Sequence, residues 1–121
     1  MKTILIVDDH PDIRRLLAIS IESDFQIIEA SDGESALETV WRLRPDAVLL
    51  DIMMPGPLNG LQVLRAIKTD PELEDTLVAI ISARAHAADQ QAECMSAGAD
   101  AYFVKPFSPL KLRGWLRKLL E

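Results

Sequence analysis

Five short aliphatic runs, spaced along the chain and separated by stretches of helical periodicity, constrain this sequence more than any other feature. The runs are Thr3–Val7 (TILIV), Phe25–Glu29 (FQIIE), Ala47–Leu50 (AVLL), Leu77–Ile81 (LVAII) and Ala101–Val104 (AYFV). Their length and β-branched content predict strands, and the near-continuous apolar character of most of them predicts burial on both faces. The intervening segments predict helices. Pro11 and Asp12 suit a first helical turn, followed by a stripe of Ile13, Leu16, Leu17, Ser20 and Ile21. Ser31 or Asp32 caps a second helix with Glu34 in its first turn, an inner face of Ala36, Leu37, Val40 and Trp41, and a stop at Pro45. A Pro/Gly loop leads to a third helix carrying Leu61, Leu64 and Ile67 and closed by Pro71. Residues 85–97 predict a fourth helix, poor in large apolar residues, with Gly98 as its C-terminal stop. Leu110, Trp115, Leu116, Leu119 and Leu120 predict a fifth.

Strands alternating with helices imply right-handed crossovers, and hence one parallel sheet covered on both sides. A length of 121 residues and 49% hydrophobic content suit one such α/β domain, and with only 5% aromatics its core must be aliphatic. The formal charge of −6 argues against direct nucleic-acid binding by the domain. No apolar run approaches the roughly 20 residues that span a bilayer, and the N-terminus does not read as a signal peptide. Cys94, the one cysteine, has no internal partner and reads as a packing residue, which fits a cytoplasmic location.

In sheets of this kind the chemistry sits at the carboxyl ends of the strands. Asp8 and Asp9 follow the first run, Asp51 the third, Ser82 the fourth and Lys105 the fifth. Two carboxylates about 4 Å apart repel by roughly 4 kcal/mol at an effective dielectric of about 20. Lys105 neutralises only part of three such charges, whereas a hard divalent cation with open positions, Mg²⁺, neutralises more. Asp51 is then the candidate nucleophile, able to attack phosphorus and form an acyl phosphate, with Lys105 and the Ser82 hydroxyl on the phosphoryl oxygens. His10 is set aside as a ligand because carboxylates satisfy a hard cation better than imidazole. His86 reads as a solvent-facing residue.

The segments ILIVDDHPDIR, DAVLLDIMMPG, IISA and DAYFVKPF, in this order and spacing, resemble the receiver domain of two-component response regulators, and the resemblance covers residues 1–121. It implies the sheet order 2-1-3-4-5. It also implies a phosphoacceptor switch that catalyses its own phosphorylation and slow dephosphorylation, and is not an enzyme of turnover. Asp51 would take a phosphoryl group from a sensor histidine kinase or histidine phosphotransfer protein. Asp9 and Asp51 would bind Mg²⁺ directly, Asp8 largely through water, and the backbone carbonyl of Met53 would complete the protein ligands. Ser82 takes the place of the switch hydroxyl and Tyr102 that of the switch aromatic, whose ring moves inward on activation. The Lys105–Pro106 bond is expected to be cis. The resemblance further implies an output surface over residues 85–97, 101–104 and the last helix, signalling to a downstream effector or output domain or through a phosphorylation-dependent homodimer. Kinase docking would use Ile13, Arg14, Leu17, Pro106 and Phe107. The loop Pro55–Gly60 is one residue longer than the commonest pattern, and Met53 and Arg84 flank the path of an attacking water. Two other readings stay open: an aspartyl-phosphate phosphohydrolase, disfavoured by Met53 where that class has a second aspartate, and a degenerate receiver used only for protein binding.

Overall fold

Burial along the strands alternates between two distinct apolar layers, and this alternation defines the architecture. The computed structural model describes residues 1–54, 56–83 and 87–120. Among these, strands β1 (Thr3–Val7), β2 (Gln26–Ala30), β3 (Ala47–Asp51), β4 (Leu77–Ala83) and β5 (Ala101–Lys105) form one parallel sheet in the order β2-β1-β3-β4-β5. Helices α1 (Pro11–Ile21), α2 (Gly33–Leu43), α3 (Gly60–Lys68), α4 (Ala87–Ser96) and α5 (Pro109–Leu120) connect and follow them, with a 3₁₀ turn at Pro71–Leu73. This is the doubly wound α/β fold expected from the strand–helix alternation.

Ile4, Ile6, Leu49, Ala79 and Ile81 face α1 and α5, where Leu17, Ala18, Ile21, Leu112 and Leu116 pack against them. Leu5, Val7, Val48, Leu50, Val78 and Ile80 face the other way, onto Ala36, Leu37 and Val40 of α2, Val63, Leu64 and Ile67 of α3, and Cys94 of α4. Period-two alternation sends successive side chains to opposite layers, so the central strands are apolar along their length and turn polar only at their ends.

Local signals set the boundaries. Asp32 caps α2 by accepting from the Ser35 N–H, and Asn59 with Gln62 forms a reciprocal capping box on α3. Gly98, at φ +104°, stops α4 in the left-handed region. α2 ends one residue earlier than Pro45 suggests, through Arg44 in the left-handed conformation.

Several helical faces depart from expectation. In α1, Leu16 is 49% exposed and the sheet instead receives Leu17, Ala18 and Ile21. Leu17, Ala18 and Ile21 lie on one face of the helix at i, i+1 and i+4, and Leu16 falls to its outer side. In α5, Leu112 and Leu116 are buried, while Leu110 and Leu119 face solvent. Trp41 is 49% exposed, and its indole N–H donates to Asp70, so it flanks α2 and does not line its inner face. Leu17, expected to dock a kinase, is 1% exposed and belongs to the core. Arg14, expected beside it, is engaged with the backbone carbonyl of Asp8 and with Glu29. The expected roles of Arg84, His86 and Ala85 concern positions outside the described residues, as does Pro55.

Candidate functional site

The candidate site side chains are at the ends of the strands or the first beyond them, so the sheet itself sets their positions. Asp51 closes β3, Lys105 closes β5, Ser82 is the penultimate residue of β4, and Asp8 and Asp9 follow β1. Because β1, β3, β4 and β5 run parallel and in register, these ends meet at one edge. Asp8, Asp9, His10 and Asp51 each present a ligand atom, and all four atoms lie within 4.8 Å of one another. Lys105 Nζ stands 3.1 Å from Asp8 Oδ2 and 3.7 Å from Asp51 Oδ2. The Lys105–Pro106 peptide bond is cis.

Two features hold the acidic loop in place. Asp8 Oδ1 accepts from the His10 backbone N–H at 2.9 Å, and the Arg14 guanidinium donates to the Asp8 carbonyl at 2.8 Å. Gly60 supports Asp51 from below: a Cβ there would lie 2.4 Å from the Asp51 carbonyl oxygen and 2.5 Å from Ile52 Cα. Those neighbours are backbone and cannot step aside. Gly60→Ala is therefore expected to cost about 1–3 kcal/mol of stability in urea denaturation, as overpacked cores do.

The electrostatics follow from burial. Asp51 is only 4% exposed, and its carboxyl is pushed up to about 6, first by loss of hydration and then by the Asp8 charge. Lys105 and the Met53 N–H, which donates to Asp51 Oδ1 at 3.2 Å, pull the other way, and Asp9 adds a smaller upward push. Asp9 Oδ1 is buried with no hydrogen-bond donor. His10 Nδ1 lies 3.1 Å from it but is not aligned to donate. An orphaned carboxylate oxygen beside two more carboxylates fits a hard divalent cation, and Asp8, Asp9 and Asp51 are the groups that could hold one.

Ser82 is fully buried, and its hydroxyl donates to Gln90 Oε1 at 2.6 Å. Tyr102 is half-buried, with its hydroxyl donating to the same oxygen at 3.3 Å. Burial raises the Tyr102 phenol, while a hydrogen bond with the Ser82 side chain opposes the rise. Met53 is exposed, two residues beyond Asp51.

Residues 4–117 match the response regulator receiver domain family. The chain belongs to that family. The receiver is 35% identical over 121 residues to the phosphate regulon transcriptional regulatory protein PhoB of Pseudomonas aeruginosa, an alignment covering 99% of this chain and 52% of that protein. It is 36% identical over 119 residues to the DNA-binding response regulator MtrA of Mycolicibacterium smegmatis, covering 98% of this chain and 50% of that one. It thus spans about half the length of the curated relatives it matches. A putative response regulator from Chloroflexus aurantiacus superposes with a TM-score of 0.91 at 26% identity, over 98% of this chain and 97% of that one. The Vibrio cholerae chemotaxis protein CheY4 superposes with a TM-score of 0.87 at 26% identity, over 99% of both chains.

Sequence reasoning singled out Asp8, Asp9, Asp51, Ser82 and Lys105, which stand at this edge of the sheet, and Tyr102, which lies further back on β5 and whose hydroxyl reaches Gln90. It passed over Gln90, Gly60 and the Arg14 strut. Gly60 carried a signal, being the glycine directly after a capping asparagine in a loop returning to a strand end. Gln90 carried none, since a polar residue on a weakly apolar helix reads as solvent-facing.

Proposed function

We propose that the chain is a phosphoacceptor switch in which Asp51 accepts a phosphoryl group from a phosphohistidine. The donor would be a sensor histidine kinase or a histidine phosphotransfer protein. The observation that carries this reading is one buried carboxylate, Asp51, facing an ammonium across a cluster of two further carboxylates. A carboxylate oxygen of Asp51 attacks phosphorus, the P–N bond breaks, and the imidazole leaves with the bonding pair. Mg²⁺, held by Asp8, Asp9 and Asp51 with the Met53 carbonyl, would neutralise charge on the phosphoryl oxygens when bound. Lys105 holds one phosphoryl oxygen as a fixed point charge, and the Ser82 hydroxyl donates to another.

Ile13, Leu16, Pro106 and Phe107 line a shallow apolar depression beside Lys105, which suits the docking of a helical phosphodonor next to the acceptor. In this reading residues 1–121 form the receiver, the α4, β5 and α5 surface carries the output, and a homodimer formed on phosphorylation is one form it can take. Relatives about twice as long carry names for transcriptional regulation and DNA binding, so an effector or covalent output domain would read this surface. The domain itself, with a charge of −6, would not bind nucleic acid directly. Among the described residues no helix is long and apolar enough to cross a membrane. A cytoplasmic setting fits a phosphohistidine donor.

Incubation with Mg²⁺ and acetyl phosphate tests the reading by intact mass. The expected result is a gain of one phosphoryl group that persists for minutes and is absent in Asp51→Asn. Continuous consumption of acetyl phosphate would point to a phosphohydrolase, and no gain at all to a module that only binds protein.

A further inference from the structure

Alternation along β4 puts Ser82 on the same face as Ile80, and Ile80 pairs with Tyr102 of β5. Both hydroxyls therefore face α4, where the side-chain oxygen of Gln90 accepts from each, at 2.6 Å from Ser82 and 3.3 Å from Tyr102. The Gln90 amide nitrogen reaches Met53 Sδ at 3.4 Å, on the segment that follows Asp51. One amide thus joins β4, β5 and the acceptor loop to α4.

Among the described side chains of α4, few others hold the helix. Along residues 88–96 only Cys94 is buried and only Gln90 is half-buried; the rest are exposed. A helix with so few buried apolar contacts sits at the low-stability end of a fold, and its polar ties carry a larger share of its docking.

A serine hydroxyl has one proton to donate. Ser82 cannot give it to Gln90 and to a phosphoryl oxygen on Asp51 at once; the Ala83 carbonyl, at 3.4 Å, is a poorer acceptor than the Gln90 oxygen at 2.6 Å. We propose that Gln90 is a positioning residue that holds the Ser82 hydroxyl in the unmodified protein, so that modification of Asp51 must break the Ser82–Gln90 bond and thereby loosen α4. The proposal deepens the phosphoacceptor reading and rests on it.

The test is a double-mutant cycle on the full chain, reading the affinity for beryllofluoride, a phosphoryl mimic that bonds to a carboxylate oxygen, in the presence of Mg²⁺. Gln90→Leu removes the competing acceptor and is expected to tighten binding about fivefold, the worth of a typical hydrogen bond. Gln90→Glu supplies a stronger, charged acceptor and is expected to weaken binding. In a Ser82→Ala background the gain from Gln90→Leu disappears, and the loss from Gln90→Glu shrinks to the effect of its charge alone. Unchanged or weaker binding by Gln90→Leu, or the same gain without the Ser82 hydroxyl, overturns the proposal. Should Gln90→Leu not fold, the Gln90→Glu arm decides by the same comparison. Failure of the native chain to bind beryllofluoride counts instead against Asp51 as acceptor.

Discussion

Near pH 7 and without divalent cations, Asp51→Asn is expected to be more stable than the native chain, by as much as about 3 kcal/mol. The Asp51 carboxylate is buried against Asp8 and Asp9, and its pKa stands at about 6 against 3.8 for an ordinary aspartate. A carboxyl raised in the folded state binds its proton more tightly there than in the unfolded chain. Below about pH 4 both states are protonated, and the group has no effect on stability. As pH rises from there through about 6, the folded state must give up a proton it holds more firmly, so stability falls. Above that window the penalty is constant. Asparagine keeps the shape and an oxygen to accept from the Met53 N–H, but cannot ionise. Lys105 retains Asp8 as a partner in the variant. Asp32, held below its usual value by the Ser35 N–H, contributes with the opposite sign but below that window, and it cancels between the two proteins. The informative quantity is therefore the difference between the two proteins in urea denaturation from about pH 4.5 to 7.5. It should grow with pH and shrink when Mg²⁺ is added, because the cation relieves the native cluster more than the variant. Parallel pH curves, or a less stable Asp51→Asn, would contradict the placement of an ionised Asp51 in this cluster.

The legible part of this chain was the part written in short-range pattern. Continuous runs such as LVAII and AVLL admit little but a buried parallel strand, and their polar ends fixed which residues meet at the sheet edge. The helical faces were harder. In α5 the sequence PLKLRGWLRKLL offers leucines on several faces, and only packing against Ile4, Ile6 and Phe103 selects Leu112 and Leu116. In α1, Leu16 and Leu17 are adjacent on the helix, and only packing against the sheet selects Leu17 for burial. At the site, side chains that carry charge at a strand end announced themselves. Gln90 did not, because its meaning depends on two hydroxyls contributed by other elements, eight and twelve positions away. His10 was set aside on ligand chemistry, yet its imidazole lies within 3.2 Å of Asp8 Oδ1, because its backbone N–H is itself bonded to that oxygen.

Removal of the opposing charge should have the largest destabilising effect. Lys105→Ala is expected to cost about 3 kcal/mol without divalent cations, the scale on which a buried pair suffers when one partner is lost. The lysine is 23% exposed at its side chain, but its partners are buried: Asp8 and Asp51 are 1% and 4% exposed, and among the described residues no other side-chain cation lies within ion-pair distance of Asp51. Deleting the ammonium leaves three carboxylates facing one another, and the Asp51 carboxyl should rise further, because the Lys105 charge is the largest influence now lowering it. If the loss is electrostatic, it should be markedly smaller in an Asp51→Asn background, where one repelling charge is already gone. It should also shrink as the pH is lowered toward 5, where Asp51 takes up a proton. Saturating Mg²⁺ should recover much of the stability while phosphoryl uptake from acetyl phosphate stays slow, since a cation on the carboxylate side does not replace the ammonium on the phosphoryl oxygens. A cost equal in both backgrounds and flat with pH would mean that Lys105 acts through the packing of its aliphatic stem, and the electrostatic account of the site would have to be abandoned.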